Sequence, residues 1–362
     1  MTVSTSAHRG RAWLEVNLDN LVANAQTLMD AAKDAMLLPM VKADGYGLGV
    51  MPVVNALETL HPWGYGVSTT QEGIELREAG VDRPILVFTP ATSELAGLYA
   101  DNDLRAVIDS IDASKSWSTP FHLEIDTGMG RTGIRWDDAA VLGRIDHPNL
   151  EGVFTHFHSA DEAPATVPDQ LARFRSALEL LPRRPELVHA ANSAGVWLTD
   201  EGFDLVRPGI FIYGARCGEH APVPQPVAAL RAPVVSLRKL KRGESVSYGA
   251  EWRAPADTTI ATLGAGFADG VPRSLASRGE VIIAGRRCPI AGRLTMDLVM
   301  VDAGRVEPEE LSVGTIATLI GSAGTEEITI DQFAESARTT SYEILVRFNC
   351  RLNRTYVRSS EA

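Results

Sequence analysis

The sequence predicts an α/β fold: an N-terminal (β/α)8 TIM-like barrel over residues 1–235, followed by a mostly-β domain over residues 236–362. Three observations predict it. Short apolar runs alternate with helix-capable segments between residues 36 and 208. Eight such runs fit the arithmetic of eight β/α units in roughly 200 residues. Beyond about residue 230 the texture changes to strand-like runs separated by glycines.

In chain order, Leu21, Val22, Ala25, Leu28, Met29 and Ala32 share one helical face over residues 19–32, with Asp19 as the expected N-cap. MLLPMVK (36–42) reads as a buried strand ending at Lys42, although Pro39 donates nothing to a ladder. WGYGVS (63–68), PILVF (84–88), LRAVI (104–108), FHLEID (121–126), GVFTHF (152–157), PELVHA (185–190) and FDLVRP (203–208) follow as strands two to eight. TTQEGIELREAG and DQLARFRSALELL are among the helical segments between them. A doubly wound open sheet would need a G-x-G-x-x-G first turn, and DGYGLG after Lys42 has the wrong spacing. In the second half, VVSLRKL, SVSYG, TIATLGAGF, EVIIAGRRCPIAGRLTMDLVMVD and GTIATLIG read as strands, and IDQFAESA as one amphipathic helix.

With 45% hydrophobic and 22% charged residues, the chain has an ordinary globular balance. A net charge of −12 argues against a general nucleic-acid or anionic-membrane binder, yet permits a small anionic cofactor in a local basic pocket. Cys217, Cys288 and Cys350 are far apart and odd in number, which favours a reducing compartment over disulfides or a zinc ribbon. The opening MTVSTSAHRGRAWLEV has no apolar segment of a secretory signal, and no run of about 18 apolar residues exists to span a bilayer. The expected location is the cytoplasm.

Catalytic groups of a (β/α)8 barrel come from the C-terminal ends of its strands. Lys42 ends strand one, and Asp126 ends strand five ahead of TGMGR with Arg131. His156 and His158 end strand six, His189 ends strand seven with Asn192 and Ser193 following, and Arg207 ends strand eight before PGI. The Ser193 hydroxyl and the backbone N–H groups near Gly209 and Ile210 suit an anion. A lysine facing an anion cradle suggests condensation with a cofactor aldehyde, because a desolvated lysine loses its proton readily. Each residue also has a structural reading: Lys42 as a solvated rim residue, Tyr248 as a packed phenol, Arg131 and Arg207 as ion-pair partners.

PMVKADGYGLG (39–49), EIDTGMGRTG (124–133), FTHF (154–157), ANSAG (191–195), VRPGIFIYG (206–214), VSYGAEW (246–252), GAGFADG (264–270), GRLTMD (292–297) and SYEILVRF (341–348) together resemble the alanine racemases, in order and spacing, over nearly the whole chain. The resemblance implies a pyridoxal 5'-phosphate enzyme that exchanges L- and D-alanine, supplying D-alanine for peptidoglycan. It implies Lys42 as the cofactor lysine, with Tyr46, Ser193, Gly209 and Ile210 at the phosphate and Asn192 nearby. It further implies Arg207 at the pyridine nitrogen, His156 supporting both Arg207 and the catalytic tyrosine, and Arg131 and the Met296 N–H at the substrate carboxylate. Glu124 and Asp297 take supporting places. Tyr248 would reach the site of the other subunit, making the working form a homodimer. Two acid/base groups, Lys42 and Tyr248, would then flank the cofactor plane, each with its pKa lowered by nearby positive charge. An arginine does not give up its proton, so the ring nitrogen would stay unprotonated and side reactions such as transamination would be disfavoured.

Three positions depart from the family pattern. Glu124 stands where several members have a carbamylated lysine, and is expected to orient Arg131 directly. Phe267 replaces a usual tyrosine near the substrate entrance, and Cys350 lies near an entrance tyrosine of some members. Loss of these hydroxyls opens a reading of broader or serine specificity. A different class, a metal-dependent barrel hydrolase, draws on His156 and His158 with His189 and Asp126, but leaves Lys42, Arg207 and the β domain unexplained. The expectation is no bound metal. Single-domain cofactor carriers lack a counterpart of residues 235–362, and the motifs of the related decarboxylases are not found in this sequence.

Overall fold

The structure is a computed structural model describing residues 11–115, 117–199 and 203–358. Residues 1–10, read above as carrying no secretory signal, lie outside the described residues.

The barrel strands are Met36–Leu37, Tyr65–Val67, Ile85–Val87, Arg105–Ile108, Phe121–Asp126, Leu150–Phe154, Leu187–His189 and Leu205–Val206. They pair in parallel, with Met36–Leu37 beside Leu205–Val206. A parallel bridge between Met40 and Gly66, with Gly66 N–H donating to Pro39 C=O at 2.9 Å, closes the ring. Leu38, Leu86, Val107, Phe154, Leu187 and Leu205 fill its interior. The expected first strand keeps regular pairing only over Met36–Leu37; Pro39 has no N–H to give, while the Leu38 and Met40 N–H groups still reach Val206 and Pro208 C=O at 2.9 Å. The sixth strand ends at Phe154, so His156 and His158 lie in the loop beyond it instead of sharing a strand face.

Helix Leu18–Ala32 buries Leu18, Leu21, Asn24, Ala25, Leu28 and Ala32. Its cap is Asn17, whose side chain accepts from Asn20 N–H at 2.9 Å; Asp19, the expected cap, sits in the first turn, where its charge suits the helix dipole.

The β domain takes one strand from ahead of the barrel. Trp13–Asn17 lies between Ala228–Leu240, to which it is antiparallel, and Asn353–Val357, to which it is parallel. The register of Ala228–Leu240 shifts between Val234 and Ser236. Its first part pairs with Trp13–Asn17 and Ile316–Ala323, its second with Thr258–Leu263. A division at residue 235 therefore cuts a continuous strand, and residues 13–17 belong with the second unit by pairing. Among the described residues no helix is long and apolar enough to cross a membrane.

Candidate active site

Lys42 opens a turn that most sequences avoid. Ala43, Asp44, Gly45 and Tyr46 follow it with φ of 53°, 56°, 60° and 53°, a left-handed path that costs about 1–2 kcal/mol for each residue bearing a Cβ. Hydrogen bonds hold the strain. Gly47 N–H reaches Ala43 C=O at 2.8 Å, Asp44 Oδ1 accepts from Val50 N–H at 2.9 Å, and Arg354 Nη2 donates to Asp44 Oδ2 at 3.0 Å. Glu72 completes the clamp. One carboxylate oxygen accepts from Ala43 N–H at 2.7 Å, while the other caps the next helix through Ser68 and Thr69 N–H. Sequence reasoning passed over Glu72, although Thr69-x-x-Glu72 is a visible capping box. Burial and then the Arg131 guanidinium hold the Lys42 ammonium below the ordinary lysine range, against an upward pull from Glu72.

Beside this turn lies an anion cradle. Ser193 Oγ accepts from Gly209 N–H at 2.9 Å and from Phe211 N–H at 3.5 Å. A Cβ on Gly209 would overlap the Tyr46 hydroxyl, so only glycine lets the two meet. Tyr46 is buried and stacks on Tyr213 with ring centroids 4.3 Å apart. Burial alone raises its pKa, and its hydroxyl has no hydrogen-bond partner among the described residues. A phenol hydroxyl with no hydrogen-bond partner among the described residues, beside the Gly209 backbone, fits a phosphate. Asn192 braces the loop: its Oδ1 accepts from Gly195 N–H at 3.0 Å and its amide donates to Phe157 C=O at 3.4 Å.

Arg207 is buried and surrounded by acceptors. It donates to His189 Nδ1 at 2.8 Å, to the carbonyls of Thr155 and Ala190 at 2.8 and 3.1 Å, and to His156 Nδ1 at 3.4 Å. Burial pulls its pKa to about 9, so it stays protonated at neutral pH. Burial, Arg207, Arg131 and Lys42 together push His156 down to about 3, leaving a neutral ring that accepts from Arg207. Across the mouth, Glu124 accepts from Thr132 Oγ1 at 2.7 Å and lies 3.8 Å from Arg131 Nη2. Burial raises the Glu124 pKa, with Thr132 and Arg131 opposing.

Residues 16–217 match the alanine racemase N-terminal domain, and residues 227–356 match the alanine racemase C-terminal domain. The chain belongs to the alanine racemase family. The alanine racemases of Symbiobacterium thermophilum and Deinococcus radiodurans are each 38% identical to it, over 95% and 96% of this chain and 96% and 97% of their own. The crystal structure of alanine racemase from E. faecalis matches with a TM-score of 0.89 at 31% identity, covering 99% of this chain and 100% of that one. That of the Bartonella henselae alanine racemase, which carries covalently bound pyridoxal phosphate, matches with a TM-score of 0.88 at 26% identity, over 96% of this chain and 99% of that one. As an alanine racemase family member the chain is an enzyme of the isomerase class.

The remaining expected site residues of this racemase lie in the β domain. Tyr248 is 68% exposed, in a turn with φ of 70° at Ser247, 75° at Gly249 and 48° at Ala250. Met296 is exposed too, and among the described residues neither side chain hydrogen-bonds to a barrel-mouth group. Asp297 pairs with Arg351, and buried Asp269 binds Arg11 at 2.6 Å and Arg351 at 3.2 Å, tying the GAGFADG and GRLTMD loops to both ends of the chain. Asn349, next to the exposed Cys350, donates to Ala268 C=O at 3.1 Å and so joins Cys350 to the loop of Phe267. The histidines do not converge as metal ligands. His158 is exposed and bonds Ser159, both ring nitrogens of His189 are engaged within the barrel, and Asp126 caps the Gly128 and Gly130 N–H groups. Among the described residues no group of three or more His, Cys, Asp or Glu is disposed to hold a metal.

Proposed function

We propose that this enzyme interconverts L- and D-alanine with pyridoxal 5'-phosphate, as a homodimer whose sites are shared between subunits. The observation that carries this reading is the barrel mouth itself, where a lysine of depressed pKa faces an anion cradle and a donor-only arginine. When bound, the cofactor supplies an aldehyde for Lys42 and a conjugated ring that delocalises the electrons left by the departing α-proton. Tyr46, Ser193 and the N–H groups at Gly209 and Ile210 would hold its phosphate, with Asn192 keeping their loop in shape. Arg207 would meet the ring nitrogen as a donor that keeps its proton, which restrains delocalisation and disfavours transamination.

Lys42 Nζ holds a proton on one face of the substrate and Tyr248 Oη on the other. Arg131, oriented by Glu124, and the Met296 N–H grip the carboxylate, while Asp297 steadies the Met296 loop. The exposure of Tyr248 and Met296 fits their service to a second copy of the chain. The D-alanine formed suits bacterial peptidoglycan synthesis in the cytoplasm. A reading of broader or serine specificity is favoured by Phe267 and Cys350, which offer no phenol hydroxyl at the entrance segments.

Racemisation of L-alanine by the purified protein with pyridoxal 5'-phosphate, beside L-serine and a larger amino acid, tests the reading. Alanine-preferring turnover is expected. Serine turnover equal to that of alanine would establish the broader specificity, and bound cofactor without turnover of any of them would overturn the assignment.

A further inference from the structure

A chain of buried hydrogen bonds leaves Arg207 in the direction away from the barrel mouth. Arg207 Nη1 meets His189 Nδ1 at 2.8 Å, His189 Nε2 meets His122 Nδ1 at 2.7 Å, and His122 Nε2 meets Glu151 Oε2 at 3.1 Å. His122 and Glu151 lie near the starts of their strands, so the chain crosses the barrel interior to the face opposite the site. Its direction is fixed at both ends. A guanidinium only donates and a carboxylate only accepts, so each imidazole must be neutral, accept at Nδ1 and carry its proton at Nε2. Burial lowers the pKa of both rings, which keeps them neutral.

The path is built into the packing. A Cβ on Gly152 would lie 2.5 Å from His122 Nδ1, so the barrel wall is thinned to glycine where the ring passes. His189 stacks on Phe154 with centroids 4.9 Å apart, which fixes its plane. Arg207 makes no carboxylate contact among the described residues, and aligned donors in a low-dielectric interior carry the Glu151 charge toward it.

We propose that Glu151 is a positioning residue for the reaction: through His122 it fixes the tautomer of His189, and so holds the Arg207 fork in its working orientation. The inference rests on Arg207 facing the cofactor ring. Without an acceptor at position 151, the His122 N–H is left unpaired beside the Arg105 guanidinium, whose Nε lies 3.7 Å from Glu151 Oε2 and can only donate. Donors then press on the chain from both ends, and in a share of the molecules the two rings reverse their tautomers, so that His189 turns an N–H against the Arg207 N–H.

The test combines Glu151→Leu with Glu151→Gln, in the full chain labelled with 15N-histidine, with and without pyridoxal 5'-phosphate. Imidazole 15N shifts report the tautomers, and steady-state kinetics report kcat and KM for alanine. In Glu151→Leu, His189 should gain the Nδ1-protonated form, kcat should fall about tenfold and KM should change less than about twofold. Glu151→Gln, whose amide oxygen still accepts, should keep the tautomer and restore most of kcat. If Glu151→Leu does not fold, Glu151→Lys replaces it: the side chain at 151 is 21% exposed, so lysine reaches solvent and offers donors only. A His189 tautomer that stays in place, or one that reverses with kcat unchanged, overturns the proposal even if thermal stability drops. A wild-type protein that racemises nothing would instead overturn the functional reading, while the tautomer result would stand by itself.

Discussion

Burial and the Arg131 guanidinium depress the Lys42 ammonium against an upward pull from Glu72, and the balance is measurable. Burial and Arg131 both destabilise the ammonium, so the free amine appears at a lower pH than for a lysine in solvent. Condensation with pyridoxal 5'-phosphate should therefore persist to lower pH than for free lysine and fail as pH drops through the depressed pKa. Arg131→Gln removes a repelling charge and should move that midpoint upward, as followed by cofactor absorbance against pH. An unmoved midpoint would count against the assignment, and Lys42→Ala should abolish the condensation altogether. Glu124 acts on the same arginine from a buried position. Glu124→Gln should raise KM for alanine several-fold, about 1 kcal/mol of carboxylate binding, with kcat nearly unchanged and no dependence on bicarbonate. An unaltered KM would show that Glu124 does not orient Arg131.

At the scale of elements, the site depends on two short segments whose backbones approach closely. Gly209→Ala would drive a methyl group into the Tyr46 hydroxyl, so the dissociation constant of pyridoxal 5'-phosphate should rise tenfold or more, about 1.4 kcal/mol. Equilibrium titration of the absorbance decides it, and wild-type affinity would remove Tyr46 and Gly209 from the phosphate site. The left-handed turn is equally exacting, since a Cβ on Gly47 would overlap the Leu345 carbonyl. The eight barrel strands were legible because each apolar run is bounded by polar, helix-capable sequence. Arg207 directly follows the eighth strand as read, whereas Lys42, read as ending the first strand, opens a turn beyond Leu37. Glu72 and His122 were not legible, because their roles lie in partners on other elements: the Ala43 N–H reached from a helix cap, and His189 reached across the barrel. A capping box announces a helix start, but nothing in its spacing announces a second acceptor task.

At the scale of the molecule, barrel and β domain are interlocked. Trp13–Asn17 pairs with strands whose partner residues begin at Ala228 and end at Val357, and Trp13, Leu14 and Val16 are buried there. No strand is read in sequence at WLEVN, and alternation there would show only that a strand exists and not with what it pairs. A fragment of residues 11–227 leaves that strand without either neighbour. It should be insoluble or lack a cooperative thermal transition by circular dichroism, whereas a soluble, cooperatively melting fragment would show that the barrel stands alone. The same scale decides how the site is completed, since Lys42 lies in the barrel mouth while Tyr248 is exposed on the β domain with no barrel-mouth partner among the described residues.

Mixing inactive subunits tests this shared, two-base site most directly. Lys42→Ala and Tyr248→Phe chains, unfolded and refolded together with pyridoxal 5'-phosphate, form hybrid dimers in which one site draws both native residues from different chains. Activity toward L-alanine should return to roughly a quarter of the wild-type level under random pairing, while each variant refolded alone stays inactive. A mixture no more active than the separate variants would contradict the account, and would place Lys42 and Tyr248 in the same subunit's site or remove Tyr248 from the chemistry.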